Sequence, residues 1–166
     1  MITRIKWAGQ IICFFIISCI AFACTHADHH KFQSADIEQQ LRNEIRHWKY
    51  TPYQWGGDSR KGTDCSGLVM SVYKYVFGIR LPRSTNDQIR TGTYVSQRKL
   101  QAGDLVFFML PEKIRHVGIY LGKGEFVHTS SSKNVIISHI GDAYWHSTYE
   151  TSRRIFREER VIWSVN

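Results

Sequence analysis

Four side chains in this sequence could together break an amide bond: Cys65, His116, His128 and Tyr53. A thiolate is a strong nucleophile, but a cysteine needs a base to hold or remove its proton. The base needs a third group to fix its tautomer, and the oxyanion that forms needs fixed donors. One thiol, two imidazoles and a phenol contain every part, with the Cys65 backbone N–H joining Tyr53 at the oxyanion. Two other readings stand beside this one. Cys65 reads equally as a small buried core residue. One cysteine with two histidines is also part of a zinc site, although no fourth ligand or paired-ligand motif is evident.

The first requirement on the fold is a platform for the thiol. Cys65 stands just before Leu68, Val69, Val72, Tyr73 and Val76, an apolar run at helical spacing that Gly78 closes. A thiol at a helix N-terminus meets unpaired N–H groups and the positive end of the macrodipole. Both favour thiolate, so the expectation is a pKa below the ordinary value of about 8.5. Gly67 keeps the approach to the sulfur open.

The second requirement is a frame for the histidines. His116 to Leu121 and Glu125 to Thr129 read as two strands joined at Gly122-Lys123-Gly124. With a three-residue loop, Leu121 pairs with Glu125, so His128 stands opposite Gly118 and His116 opposite Ser130. Both histidines then point to one face at a diagonal offset of about 7–8 Å, which long side chains can bridge. A two-residue turn would put them on opposite faces.

The remaining elements follow in order. Asp36 to Trp48 reads as an amphipathic helix with Ile37, Leu41, Ile45 and Trp48 on its buried side, and Asp36 with Gln39 resembles a capping box. Thr51 to Gly57 reads as a turn or short irregular strand after Pro52. Ser84 and Asp87 mark a short helix running to about Thr91, which Gly92 ends. Ala102-Gly103-Asp104 is a turn feeding a buried strand, Leu105 to Met109. Val135 to Ser138 is a further strand, Ala143 to Tyr149 is ambiguous, and Ile155 to Trp163 is expected to close the sheet.

The N-terminus differs in kind. Arg4 and Lys6 precede an uncharged apolar run from Trp7 to Ala23, so residues 1–24 read as a signal sequence. A membrane anchor is the competing reading, for a run slightly short to span. Ala21-Phe22-Ala23 fits a cleavage site, and with Cys24 it also resembles a bacterial lipobox. Ile16-Ile17-Ser18-Cys19 is the alternative, but its mature end would begin with apolar residues. Cys24 is preferred, because residues 25–35 form a polar linker, with His26, His29 and His30 read as tether rather than metal ligands. With Cys24 lipidated, Cys65 has no cysteine partner in the mature chain, although intermolecular pairing is a competing explanation. Residues 36–166 are expected to form one domain.

The chain of 166 residues is 43% hydrophobic, enough for one real core, and carries a net charge of +8. Without the two basic residues of the signal, Arg4 and Lys6, the +8 falls to +6, which suits lipid headgroups or cell-wall carboxylates. No zinc-finger spacing or aromatic-basic RNA motif points to nucleic acid.

Six motifs in order carry a family resemblance: Tyr53-x-Trp55-Gly56-Gly57, Asp64-Cys65-Ser66-Gly67, Leu81-Pro82-Arg83-Ser84, Gly103-Asp104-Leu105-Val106-Phe107-Phe108, His116-Val117-Gly118-Ile119-Tyr120 and Phe126-Val127-His128-Thr129-Ser130. The chain resembles the NlpC-type family of bacterial cell-wall cysteine endopeptidases over roughly residues 36–155. It is most similar to the small single-domain lipoprotein members. The resemblance implies an α+β, papain-like fold, with a cysteine-bearing helix packed on an antiparallel sheet that bears the histidines. It implies Cys65 as nucleophile, His116 as general base, His128 as the orienting third residue and Tyr53 as oxyanion donor, with no metal or organic cofactor. The implied substrate is the peptidoglycan stem peptide or its crosslinks. The implied location is the exported side of a bacterial envelope membrane, held by the lipid anchor. Asp64, Ser66, Arg83 and Ser84 are candidate substrate contacts, and Asp64, Arg83 and Ser84 serve equally well as caps and turn residues. Ala102 and Thr129 depart from the family pattern, and Thr129 bears on pocket shape. The alternatives are a different wall acyl-transfer enzyme, amidase or transferase, and a wall-binding protein without activity.

Overall fold

A computed structural model of the chain describes residues 35–155. The expected signal, lipidation site and most of the linker lie outside the described residues, as does nearly all of the strand expected at Ile155 to Trp163.

The first helix, α1, covers residues 35–48 and buries Ile37, Leu41, Ile45 and Trp48, the expected stripe. The capping box does not form. Asp36 accepts from Gln40 Nε2 at 2.9 Å, while Gln39 turns to Asn43. Both pairs are one helical turn apart, and the helix already includes Ala35.

After α1 the chain folds back through a small hairpin, β1 (Asp58–Ser59) with β2 (Gly62–Thr63). Tyr53 lies beside Thr63 in a parallel bridge, held by Gln54 N to Thr63 O and Thr63 N to Pro52 O. This returns the chain to Asp64 and the second helix, α2 (Cys65–Phe77). Gly78 ends α2 with φ 67°, its N–H closing on the Lys74 carbonyl. The third helix, α3 (Thr85–Gln88), is shorter than the expected run to Thr91.

The sheet has six strands. They are β3 (Thr93–Tyr94), β4 (Leu105–Met109), β5 (Arg115–Gly122), β6 (Glu125–Ser130), β7 (Asn134–His139) and β8 (Tyr149–Arg154). Their spatial order is β3-β8-β4-β5-β6-β7, and every pair is antiparallel. The fold is therefore the expected α+β arrangement. Two points differ. The strand that completes the sheet between β3 and β4 is β8, earlier than expected, and it follows a short helix, α4 (Ala143–Thr148), in the ambiguous stretch. Asp104 secures β8 by accepting from Arg154 Nε and Nη2 at 2.8 and 2.7 Å, which draws the strand onto the Gly103-Asp104 turn.

Alternation along the strands gives the sheet two apolar faces. Leu105, Phe107, Val117, Ile119, Leu121 and Val127 join α1 and α2 in the main core. Val106, Phe108 and Phe126 form a smaller core on the other face, under Trp145 of α4 and Tyr149 of β8.

Candidate active site

Asp64 shapes the start of α2. Its Oδ1 accepts from Gly67 N at 2.8 Å, an N-cap, and its Oδ2 accepts from Gly56 N at 2.9 Å. Arg83 donates to Oδ1 from Nη1 at 2.9 Å and to Oδ2 from Nη2 at 2.8 Å. Burial pushes the Asp64 carboxyl up, but Arg83 and the two backbone N–H groups more than offset this and hold it below its ordinary value. Ser66 donates to Asp64 Oδ1 and accepts from Arg83 Nη1. Ser84 caps α3 by accepting from Asp87 N. Each of the four candidate substrate contacts is engaged with the protein itself: Asp64 and Ser84 as caps, and Arg83 in an ion pair with Asp64 and a hydrogen bond to Ser66.

Cys65 is the first residue of α2 and half-buried, and its backbone N–H stands at a position with no partner inside the helix. The sulfur lies 3.8 Å from Thr85 Oγ1 and against the backbone of Val117 and Ser66. Val117 directly follows His116 in β5. The expected lowering of the thiol pKa is reversed. Burial pushes the Cys65 thiol up, the Asp64 charge adds to the effect, and the Thr85, Val117 and Ser66 contacts only reduce it. The helix terminus alone does not decide the thiol, because the same terminus is capped by an anion.

The two histidines meet on one face, as the three-residue loop predicts, although the loop itself is different. Lys123 (φ 54°) and Gly124 (φ 84°) form a two-residue turn with Gly122 opposite Glu125. A bulge at Leu121 then absorbs one residue, so Tyr120 pairs with Phe126 and Ile119 with Val127. The bulge restores the register that a two-residue turn would have lost. His116 Nε2 and His128 Nδ1 are 3.0 Å apart. His128 is 2% exposed, and its Nε2 lies 3.0 Å from Ser138 Oγ on β7.

Trp145 walls this pair. Its ring stacks on His116 at 5.7 Å between centroids and meets His128 edge-on at 4.7 Å, while Phe126 stacks on the other side of His128. Burial pushes His116 down to about 4. Burial, with His116 alongside, pushes His128 down to about 3, against an opposing contribution from the Thr129 backbone. Both imidazoles are therefore neutral at pH 7. Tyr53 is 37% exposed, and its phenol is raised by desolvation and by negative charge at Cys65 and Asp64, so it stays a proton donor within reach of their fields. Thr129, the departure from the family pattern, is buried and donates to the Asp64 carbonyl at 3.3 Å.

Ser138, Trp145 and Thr85 carry no motif that marks them in the sequence. Ser138 was legible in principle, as the next diagonal step from His128 once the β6–β7 register is known. Trp145 had no local signal. Among the described residues no group of three His, Cys, Asp or Glu side chains is arranged to hold a metal ion.

The Cys65 thiol at the start of α2 thus lies beside β5, whose second residue, His116, is paired with His128. The sequence matches the NlpC/P60 family over residues 50–154. The chain belongs to the NlpC/P60 family. It is 42% identical over 123 residues to the murein DD-endopeptidase MepS/murein LD-carboxypeptidase of Escherichia coli. That alignment covers 74% of this chain and 65% of the relative's length. It is 35% identical over 152 residues to the probable endopeptidase NlpC of Escherichia coli, covering 86% of this chain and 99% of that protein. Among solved structures, an NlpC/P60 family protein from Bacillus cereus superposes with a TM-score of 0.66 at 32% identity, over 72% of this chain and 40% of that one. The papain-like α+β fold of the NlpC/P60 family is thus the fold of this chain.

Proposed function

We propose that this NlpC/P60 chain is a peptidoglycan endopeptidase that hydrolyses amide bonds in stem peptides or their crosslinks through a Cys65 acyl-enzyme. The observation that carries the reading is the His116–His128 hydrogen bond on β5 and β6, next to the Val117 backbone that touches the Cys65 sulfur. The murein endopeptidase name of the Escherichia coli relative supplies the substrate class.

The His116 Nε2 is taken by His128, which leaves Nδ1 for the thiol. His116 Nδ1 accepts the thiol proton as sulfur attacks the carbonyl carbon, and the carbonyl electrons move to oxygen. Tyr53 and the Cys65 N–H donate to that oxyanion. The oxyanion collapses, the C–N bond breaks, and His116 returns the proton to the leaving amine. The thioester is then attacked by water, whose proton His116 accepts. The thiol regains that proton as the C–S bond breaks and the carboxylate product leaves. The neutral thiol and neutral imidazole make proton transfer part of the attack rather than a step completed beforehand.

The reading includes an exported, membrane-anchored protein with its lipid on Cys24, or on Cys19. The uncharged run from Trp7 to Ala23 and the lipobox-like Ala21-Phe22-Ala23-Cys24 support that part.

The test is to incubate the purified chain with isolated peptidoglycan and identify released fragments by mass spectrometry, with Cys65→Ala alongside. Fragments with a new stem-peptide amine, lost in Cys65→Ala, are expected. Release of whole stem peptides from the sugar would make the chain an amidase instead. No thiol-dependent fragments from folded, reduced protein would overturn the enzyme reading.

A further inference from the structure

The pairing of β5, β6 and β7 sets out a three-part polar line on one face of the sheet. His116 stands diagonally across from His128, and His128, which pairs with Ile136, stands diagonally across from Ser138. The two contacts along this line are His116 Nε2 to His128 Nδ1 and His128 Nε2 to Ser138 Oγ, both 3.0 Å.

A neutral imidazole carries one N–H and one lone pair, so protons along such a line can run in only two senses. If Ser138 Oγ accepts from His128 Nε2–H, His128 Nδ1 is a lone pair. It then accepts His116 Nε2–H, and His116 Nδ1 is a lone pair as well. If Ser138 donates instead, His128 carries its proton on Nδ1, and His116 must carry its own on Nδ1. That nitrogen can then take no proton. Only the first sense leaves a base.

We propose that Ser138 is a positioning residue that accepts from His128 Nε2–H and so sets the tautomers of both histidines. The surroundings favour this sense. Phe126, stacked on the His128 ring at 5.1 Å, and Trp145, edge-on at 4.7 Å, offer no acceptor oxygen, and beside the Thr129 backbone contact Ser138 Oγ is the side-chain oxygen within hydrogen-bond distance of the ring. Ser138 is half-buried on β7, the last strand of the sheet, so its own O–H can turn to solvent while Oγ accepts. Its partner in the ladder, Phe126, fixes the Cα from which the hydroxyl reaches His128.

The catalytic consequence rests on the proposed endopeptidase reading, whereas the tautomer does not. The test therefore has two readouts on the full chain. The first is 15N NMR of histidine-labelled protein at pH 7, which distinguishes Nε2–H from Nδ1–H. Wild type is expected to show His128 as Nε2–H. Ser138→Ala is expected to shift it toward Nδ1–H, and Ser138→Thr, which keeps the hydroxyl, to restore Nε2–H. The second is turnover of peptidoglycan. Ser138→Ala is expected to lower kcat about tenfold to a hundredfold, the range seen when a metal-bound histidine loses its outer hydrogen-bond partner, with KM little changed. His128 as Nδ1–H in wild type overturns the proposal whatever the variants do. So does Ser138→Ala with tautomer and kcat both unchanged. Wild type that shows the expected tautomer but cleaves no peptidoglycan sinks the enzyme reading and leaves the tautomer assignment standing.

Discussion

Arg83 donates both arms of its guanidinium to Asp64, at 2.9 and 2.8 Å, one residue ahead of Cys65. The same carboxylate caps α2 through Gly67 N and braces the preceding loop through Gly56 N. One side chain therefore ties two segments, the Gly56 loop and the stretch at Arg83, to the start of the helix that carries the thiol.

Asp64→Ala is expected to lower stability by at least the loss of a cap, about 1 kcal/mol. Asp64→Asn keeps an oxygen for Gly67 and loses the charge together with the second acceptor oxygen, which Gly56 N and Arg83 Nη2 use. The wild-type carboxyl titrates below its ordinary 3.8, so its charge contributes in full above that value and is lost as pH falls through the folded pKa. Urea melts at pH 7 and pH 3 check this. The gap between wild type and Asp64→Asn should be clear at pH 7 and narrower at pH 3.

The half-buried Cys65 thiol, raised above its ordinary value, should alkylate slowly at neutral pH. Its rate with iodoacetamide should keep climbing as pH rises past 9, with no plateau near neutrality. A preformed thiolate–imidazolium pair would give that plateau, and its observation would exclude the neutral resting pair.

Trp145→Ala should open the histidine pair to water. His116 and His128 titrate near 4 and 3, whereas an unfolded histidine titrates near 6.5. Their neutral burial contributes stability in full above 6.5 and loses it as pH falls toward 4 and 3. With the indole gone, both pKa values should rise toward 6.5, and the acid limb of kcat/KM should move up with them. NMR titration of the histidine side chains checks the first shift, and a pH–rate profile checks the second. Unmoved titrations in a folded variant would show that the indole does not keep water from the pair.

Gly67→Ala separates helix propensity from packing. In an isolated helix alanine is better than glycine by up to about 1 kcal/mol. Here an added Cβ would lie 2.1 Å from the Gly57 carbonyl oxygen, a backbone atom that cannot turn aside. The expected result is a loss of about 1–3 kcal/mol, the usual cost of overpacking, together with reduced activity as α2 moves away from β1. A variant at least as stable as wild type in thermal melts would contradict the close approach.

Local pattern in the sequence determined α1, α2 and strands β4 to β7, because each buries one stripe or one face at a regular period. The placement of Cys65 at the start of α2 followed from the apolar run and Gly78. The shared face of His116 and His128 depended on a loop length that the sequence left open. It was the tertiary structure that resolved it, through a bulge at Leu121 that no residue type announces. The same holds for the sign of the Cys65 shift. A helix start favours thiolate locally, but desolvation and the Asp64 charge come from how the segments pack. Ser138 and Trp145 joined the site only when β7 and α4 came to lie across the histidines. Periodicity is a property of neighbouring residues, whereas register, burial and field depend on segments far apart in the chain. That is why the elements were legible from the residues while the chemistry at their meeting point waited for the fold.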